Sequence, residues 1–282
     1  MNARASTAPA PLLWFARVLV AFARRETAAI TGYRVSFVFR GFSFAISVLA
    51  LAFLSRLVGA AANPLLAEYG GDYLTFAVVG LVVMDFQQVA VNNLSQQVRN
   101  SQVMGLFEAE LATPVPAWIV LGVGPAYELM LAMFRSALYF ALIAVVFGVT
   151  FPHASFTTLV IAAPLILGAF GGIGLLAAAT TMLVRRSNPV GTLLASASFL
   201  LSGVAYPVSV LPASLRLLGQ ALPTTHALEL VRGALLKGAS PSELGASILA
   251  LALFAGLTIP LGVALFVFAL RRARIDGSLS HY

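Results

Sequence analysis

Six stretches of about twenty largely apolar residues recur along the chain, and they constrain its fold more than any other feature. A helix needs ~20 such residues to cross ~30 Å of hydrocarbon, because each backbone polar group must be satisfied within the segment. The runs fall at about 37–58, 73–91, 129–149, 157–184, 189–206 and 244–270. Composition agrees: 60% of the 282 residues are hydrophobic and 10% are charged, against about 45–50% and 25% in a soluble domain. The expected fold is an all-α integral membrane protein with six transmembrane helices and both termini on one side.

Arginine and lysine set the orientation, since basic residues in short flanks stay on the cytoplasmic side during insertion. Cytoplasmic termini put Arg4, Arg17, Arg24, Arg25, Arg34, Arg40, Arg99, Arg185, Arg186, Arg271, Arg272 and Arg274 inside. Only Arg56, Arg216, Arg232 and Lys237 then fall outside, with Arg135 inside a span. The reverse topology strands Arg185, Arg186 and the Arg271, Arg272, Arg274 cluster outside. Residues 1–34 read as a polar tail followed by an interfacial helix, in which Trp14, Phe15, Val18, Leu19 and Phe22 recur at helical spacing opposite Arg17 and Arg24. A cleaved signal peptide is the weaker reading, because Arg17 interrupts the apolar stretch. Residues 35–282 form the membrane domain.

Two segments depart from simple spans. After the second, the amides from Asn92 to Asn100 lead into an elbow at about 99–111, where Val103, Leu106, Phe107 and Leu111 share one apolar side and Gly105 permits a bend. Pro114 and Pro116 stop it. Such a short amphipathic helix suits docking to a partner, or rests on the bilayer surface. The second segment, at about 202–238, is cut by Pro207, Pro212 and Pro223 into pieces too short to cross, 213–221 and 225–237. It is expected to form a re-entrant hairpin, with Pro212 in the first turn of one helix and Thr224 or Thr225 capping the next. Irregular backbone at membrane depth is tolerated where it is buried in protein or faces a wet cavity.

Asp85, Glu128 and Arg135 stand within or beside the apolar runs, where an ionisable group is costly and usually faces protein or water. Asp85 and Arg135 occur at compatible depths in neighbouring spans and are candidates for an ion pair. The alternative is that Arg135 snorkels and Asp85 bonds neighbouring amides.

Catalytic signatures are missing. The single lysine, Lys237, precedes Gly238 and fits no G-x-x-x-x-G-K-[ST] phosphate-binding loop, so no ATPase of that kind resides here. His153, His226 and His281 are scattered, no G-x-S-x-G elbow occurs, and there is no cysteine for thiolate chemistry or disulfides. The formal charge of +7 lies along membrane boundaries, which topology explains better than nucleic-acid binding.

The stretch GLFEAELATPVP, with Gly105, Glu108, Thr113 and Pro114, resembles the G-x-L-E-x-L-x-x-T-P element of ABC-2 type permeases, the membrane subunits of a class of ABC transporters. The later stretch SGVAYPVSVLPASLRLLGQALPTTHALELVRGALL resembles their S-G-x-x-x-P-x-x-x-L-P and L-P-x-T-x-x-x-x-x-x-R signature through Ser202, Gly203, Pro207, Leu211, Pro212, Leu222, Pro223, Thr225 and Arg232. The resemblance implies a multi-pass subunit of a bacterial plasma membrane that exports an amphiphile such as a drug, a lipid, a lipid-linked glycan or a lipo-oligosaccharide. It implies two partner ATPase subunits that bind ATP and Mg²⁺, no cofactor in this chain, and a second copy or a related permease completing the pathway. Arg99, Val103, Gly105, Leu106, Phe107, Glu108, Thr113 and Pro114 then form the coupling surface. The hairpin bounds the exit, and Phe42, Phe86 and Phe199 are candidate pathway residues. The competing function is a proton-coupled secondary transporter using Asp85 and Glu128; a lipid-modifying enzyme or a structural anchor leaves the elbow and hairpin unexplained.

Overall fold

The computed structural model describes residues 34–58, 66–69, 72–103, 117–148, 151, 154–184 and 188–275. Among the described residues the regular structure is entirely helical. Eight α-helices follow in order: α1 Arg34–Val58, α2 Tyr73–Val103, α3 Ala117–Phe147, α4 Phe156–Val184, α5 Pro189–Leu201, α6 Ala213–Gln220, α7 Pro223–Arg232 and α8 Gly245–Ile275. A 3-10 turn, Ala67–Tyr69, precedes α2, and a π turn, Gly233–Lys237, continues α7.

Five helices, α1, α2, α3, α4 and α8, contain stretches long and apolar enough to cross a membrane. Large apolar side chains are exposed along them, as with Val38, Phe42 and Phe53 on α1 and Leu253, Leu257 and Phe268 on α8. Water would not tolerate such continuous surface, whereas hydrocarbon does. The expected fifth span is a shorter object: α5 has 13 residues, or roughly 20 Å of helix. It stops at Leu201 because Gly203 takes a left-handed φ of 76° and Pro207 follows. Asn188 begins it, its side chain accepting the Gly191 N–H at 2.9 Å with Pro189 in the first turn.

α2 and α4 are the hubs. α4 packs against α2 and α8, and α2 also meets α1, α3, α5 and α7. The main core lies where these converge, around Phe86, Phe170, Leu228, Leu230 and Leu251. α4 and α8 approach closely because small residues face each other. A methyl added at Gly172 would lie 2.2 Å from Thr258 Oγ1, and one at Gly262 would lie 2.8 Å from the Gly172 carbonyl. With no hydrophobic drive between helices in lipid, such close backbone contact is what holds them. α3, α4 and α8 each carry an internal proline, Pro125, Pro164 and Pro260, while α2 has none over its 31 residues.

In the turn before α8 the Glu243 carboxylate accepts from the Ser240 N–H at 2.7 Å and from the Ser240 hydroxyl at 3.0 Å. Those two donors hold the exposed Glu243 carboxyl below its ordinary value.

Candidate translocation and coupling site

The hairpin expected at 202–238 is α6, α7 and the π turn. α6 begins at Ala213 directly after Pro212, and α7 begins at Pro223. The threonines do not cap α7, whose cap position, Leu222, has no side-chain hydrogen bond. Thr225 Oγ1 donates instead to the Gly219 carbonyl at 2.5 Å, tying α7 back to α6. Thr224 Oγ1 donates to Gln87 Oε1 on α2 at 2.6 Å. Gln87 Nε2 in turn donates to Ser198 Oγ on α5 at 3.2 Å, and the Ser198 and Thr224 hydroxyls lie 2.8 Å apart. All three side chains are buried. The ring joins α2, α5 and α7 through groups that would be costly to leave unpaired in an apolar interior.

A second connection lies closer to the start of α2. Arg232, at the end of α7, donates from Nη1 to the Gly203 carbonyl at 2.7 Å and from Nη2 to the Val204 carbonyl at 2.8 Å and the Phe76 carbonyl at 3.0 Å. Its guanidinium carbon sits 3.4 Å from the centroid of the Phe76 ring, a cation–π arrangement. The turn after α5 reaches α2 because Gly80 has no side chain: a Cβ there would lie 2.2 Å from the Val204 carbonyl oxygen. On the other side of the same region, Lys237 Nζ lies 4.4 Å from the centroid of the Tyr69 ring. The signature residues Ser202, Gly203, Pro207 and Arg232 are therefore brought together around the Tyr73 end of α2.

Asp85 and Arg135 meet between α2 and α3. Arg135 donates from Nη2 at 3.0 Å and from Nε at 3.2 Å to one carboxylate oxygen of Asp85. Arg135 is buried and Asp85 is partly exposed. Either single alanine is expected to cost about 2 kcal/mol of stability, and the Asp85→Arg, Arg135→Asp exchange to recover at least half. Thermal unfolding in detergent checks this; an exchange variant no more stable than the singles would remove the pair from consideration. Glu128 stands two turns before Arg135 in α3 and is partly buried.

The other expected positions are distributed as follows. Gly105, Leu106, Phe107, Glu108, Thr113 and Pro114 lie outside the described residues; Arg99 and Val103 close α2. Phe42 on α1 and Phe199 on α5 are exposed, whereas Phe86 is buried against Phe170, with ring centroids 6.4 Å apart. Phe86 also lines an apolar cavity of about 240 Å³ together with Phe140, Met133, Ile166 and Leu235. The polar ring and Gly80 carried no local signal, because their partners are far away in sequence. A stripe of amides on α2 did carry one: Asn92 bonds Gln88 and accepts from Asn188 Nδ2 at 2.8 Å, which docks the start of α5.

Among curated proteins, no sequence matches this one. The family model described as ABC-2 type transporter matches residues 17–236, a stretch that includes α1 to α7 and both connections of the hairpin to α2. A membrane bundle of apolar helices, with a proline-divided hairpin clamped to the second of them, belongs to the ABC-2 type transporter family.

Proposed function

We propose that this chain is one half of the translocation pathway of an ATP-driven exporter for an amphiphile, coupled to separate nucleotide-binding subunits. Family membership makes it a transporter permease component. The finer reading is carried by one observation: α2 is anchored to the hairpin by Arg232 and by the Gln87, Ser198, Thr224 ring, and its other end, at Val103, lies within the stretch where the sequence places the elbow, about 99–111. A push delivered to the elbow by a closing ATPase reaches the hairpin through one helix. In this reading the elbow and termini are cytoplasmic, the hairpin sits in the outer leaflet, and 202–206 completes the fifth crossing after the short α5. Irregular backbone is acceptable there because Arg232 satisfies its carbonyls.

A second copy or a related permease completes the pathway, with the exposed aromatic and aliphatic residues of α1 and α5 toward it. Apolar walls with few charges suit a cargo whose tail stays partly in lipid. The proton-carrier reading is less supported, since Arg135 already engages Asp85. Mild detergent extraction should recover the chain with a stoichiometric ATPase; uptake driven by a proton gradient with the purified chain alone would overturn the proposal. With that partner present, Glu108→Ala should lower stimulated ATP hydrolysis about tenfold and leave insertion unchanged. Unaltered coupling in reconstituted vesicles would take Glu108 out of the docking surface.

A further inference from the structure

A polar cavity of about 240 Å³ lies beside the hairpin, bounded by Tyr69, Ser202, Arg216, Gln220, Thr225 and Arg232. Two of these side chains are almost fully enclosed, Arg232 at 4% and Ser202 at 1% exposure, and each has an atom with no hydrogen-bond partner, Arg232 Nε and Ser202 Oγ. Buried polar atoms are rarely left unpaired, because desolvation is then uncompensated. The charge is also unbalanced. Arg232 is answered by carbonyls and a ring, and Arg216 donates from Nη2 to the Ser209 carbonyl at 2.8 Å and the Leu211 carbonyl at 3.3 Å. Neither arginine is in an ion pair among the described residues. Glu229, the acid in the cavity wall, is shared between the Ser247 hydroxyl and the His226 ring. Two cations and two orphaned donors around a small polar space fit an anion that offers several acceptor oxygens.

We propose that this cavity binds a phosphate group, presented as the headgroup of an anionic amphiphile. Arg232 Nε and the Ser202 hydroxyl donate to the phosphate oxygens from inside, and Arg216 closes over them from the exposed rim. An aliphatic tail leaves toward the apolar faces of α5 and α6, where Leu200, Leu217 and Leu218 are exposed. A free inorganic phosphate offers the same oxygens without the tail, so the two sources are separable.

The test uses the full chain in neutral maltoside micelles, without an ATPase, so that its failure leaves the transport reading standing. Binding of short-chain phosphatidic acid is measured by native mass spectrometry and compared with diacylglycerol of the same chains and with inorganic phosphate. Phosphatidic acid is expected to bind at least tenfold tighter than diacylglycerol, and inorganic phosphate at millimolar concentration is expected not to displace it. Displacement by inorganic phosphate would overturn the assignment to an amphiphile. Arg216→Gln and Ser202→Ala should each weaken phosphatidic acid binding about tenfold, the loss of one charge-assisted hydrogen bond, and Arg216→Lys should restore most of it. Arg216 is exposed, so its variant tests the site without disturbing the core. Equal binding of diacylglycerol, or unchanged affinity in both Arg216→Gln and Ser202→Ala, would refute the site.

Discussion

Arg232→Leu is expected to lower stability by about 3–5 kcal/mol and to reduce transport to background. Leucine fills much of the same space but donates nothing. The Gly203 and Val204 carbonyls lose their partner inside the protein, and each buried acceptor left alone costs about 1–3 kcal/mol. The contact with the Phe76 ring and carbonyl disappears as well. Arg232→Lys keeps the charge but not the planar fork that reaches three carbonyls at once, so it should recover less than half of the loss. Thermal unfolding in detergent gives the stability, and transport in vesicles containing the ATPase partner gives the function. A leucine variant that melts within about 2 °C of the parent protein would show that the guanidinium does not hold the turn in place.

Gly80→Val should be nearly as damaging, for a steric reason. Its Cβ alone would lie 2.2 Å from the Val204 oxygen and 2.9 Å from Arg232 Nη2, so the turn after α5 must move off α2, which takes Arg232 out of reach of one carbonyl or another. Overpacking of this kind costs about 1–3 kcal/mol, and the displaced hydrogen bonds add to it. Gly41→Ala on α1 is the matched control. Nothing lies within 4 Å of a Cβ there, and removing a helix glycine should stabilise by about 0.5–1 kcal/mol. Comparable destabilisation at both positions would mean that the Gly80 effect is not specific to contact with the hairpin.

The parts of the fold readable in the sequence are those set by a residue's own solvent. The apolar runs gave the five long helices because hydrocarbon demands length and apolarity locally, and the prolines at 207, 212 and 223 marked where the hairpin breaks. Depth-matched charges suggested the Asp85 and Arg135 contact, since each needs a partner at that level. The extent of α5 was misjudged because 202–206 is as apolar as a span, while its course depends on Gly203 and on an arginine 29 residues later. Thr224 looked like a cap because it stands at a helix start; its partner, Gln87, is 137 residues away. Gly80 was silent for the same reason. A missing side chain carries information only once the backbone that approaches it is known.

The absence of proline from α2 has a mechanical consequence. Thirty-one residues of helix make a rod of about 46 Å, whereas the long helices α3, α4 and α8 each contain a proline where bending is easier. A rod that does not flex converts rotation at one end into travel at the other: a tilt of about 5° about the Val103 end displaces the Phe76 end by roughly 4 Å. That travel exceeds the length of any hydrogen bond Arg232 makes there, so the hairpin must ride with the rod or let go of it.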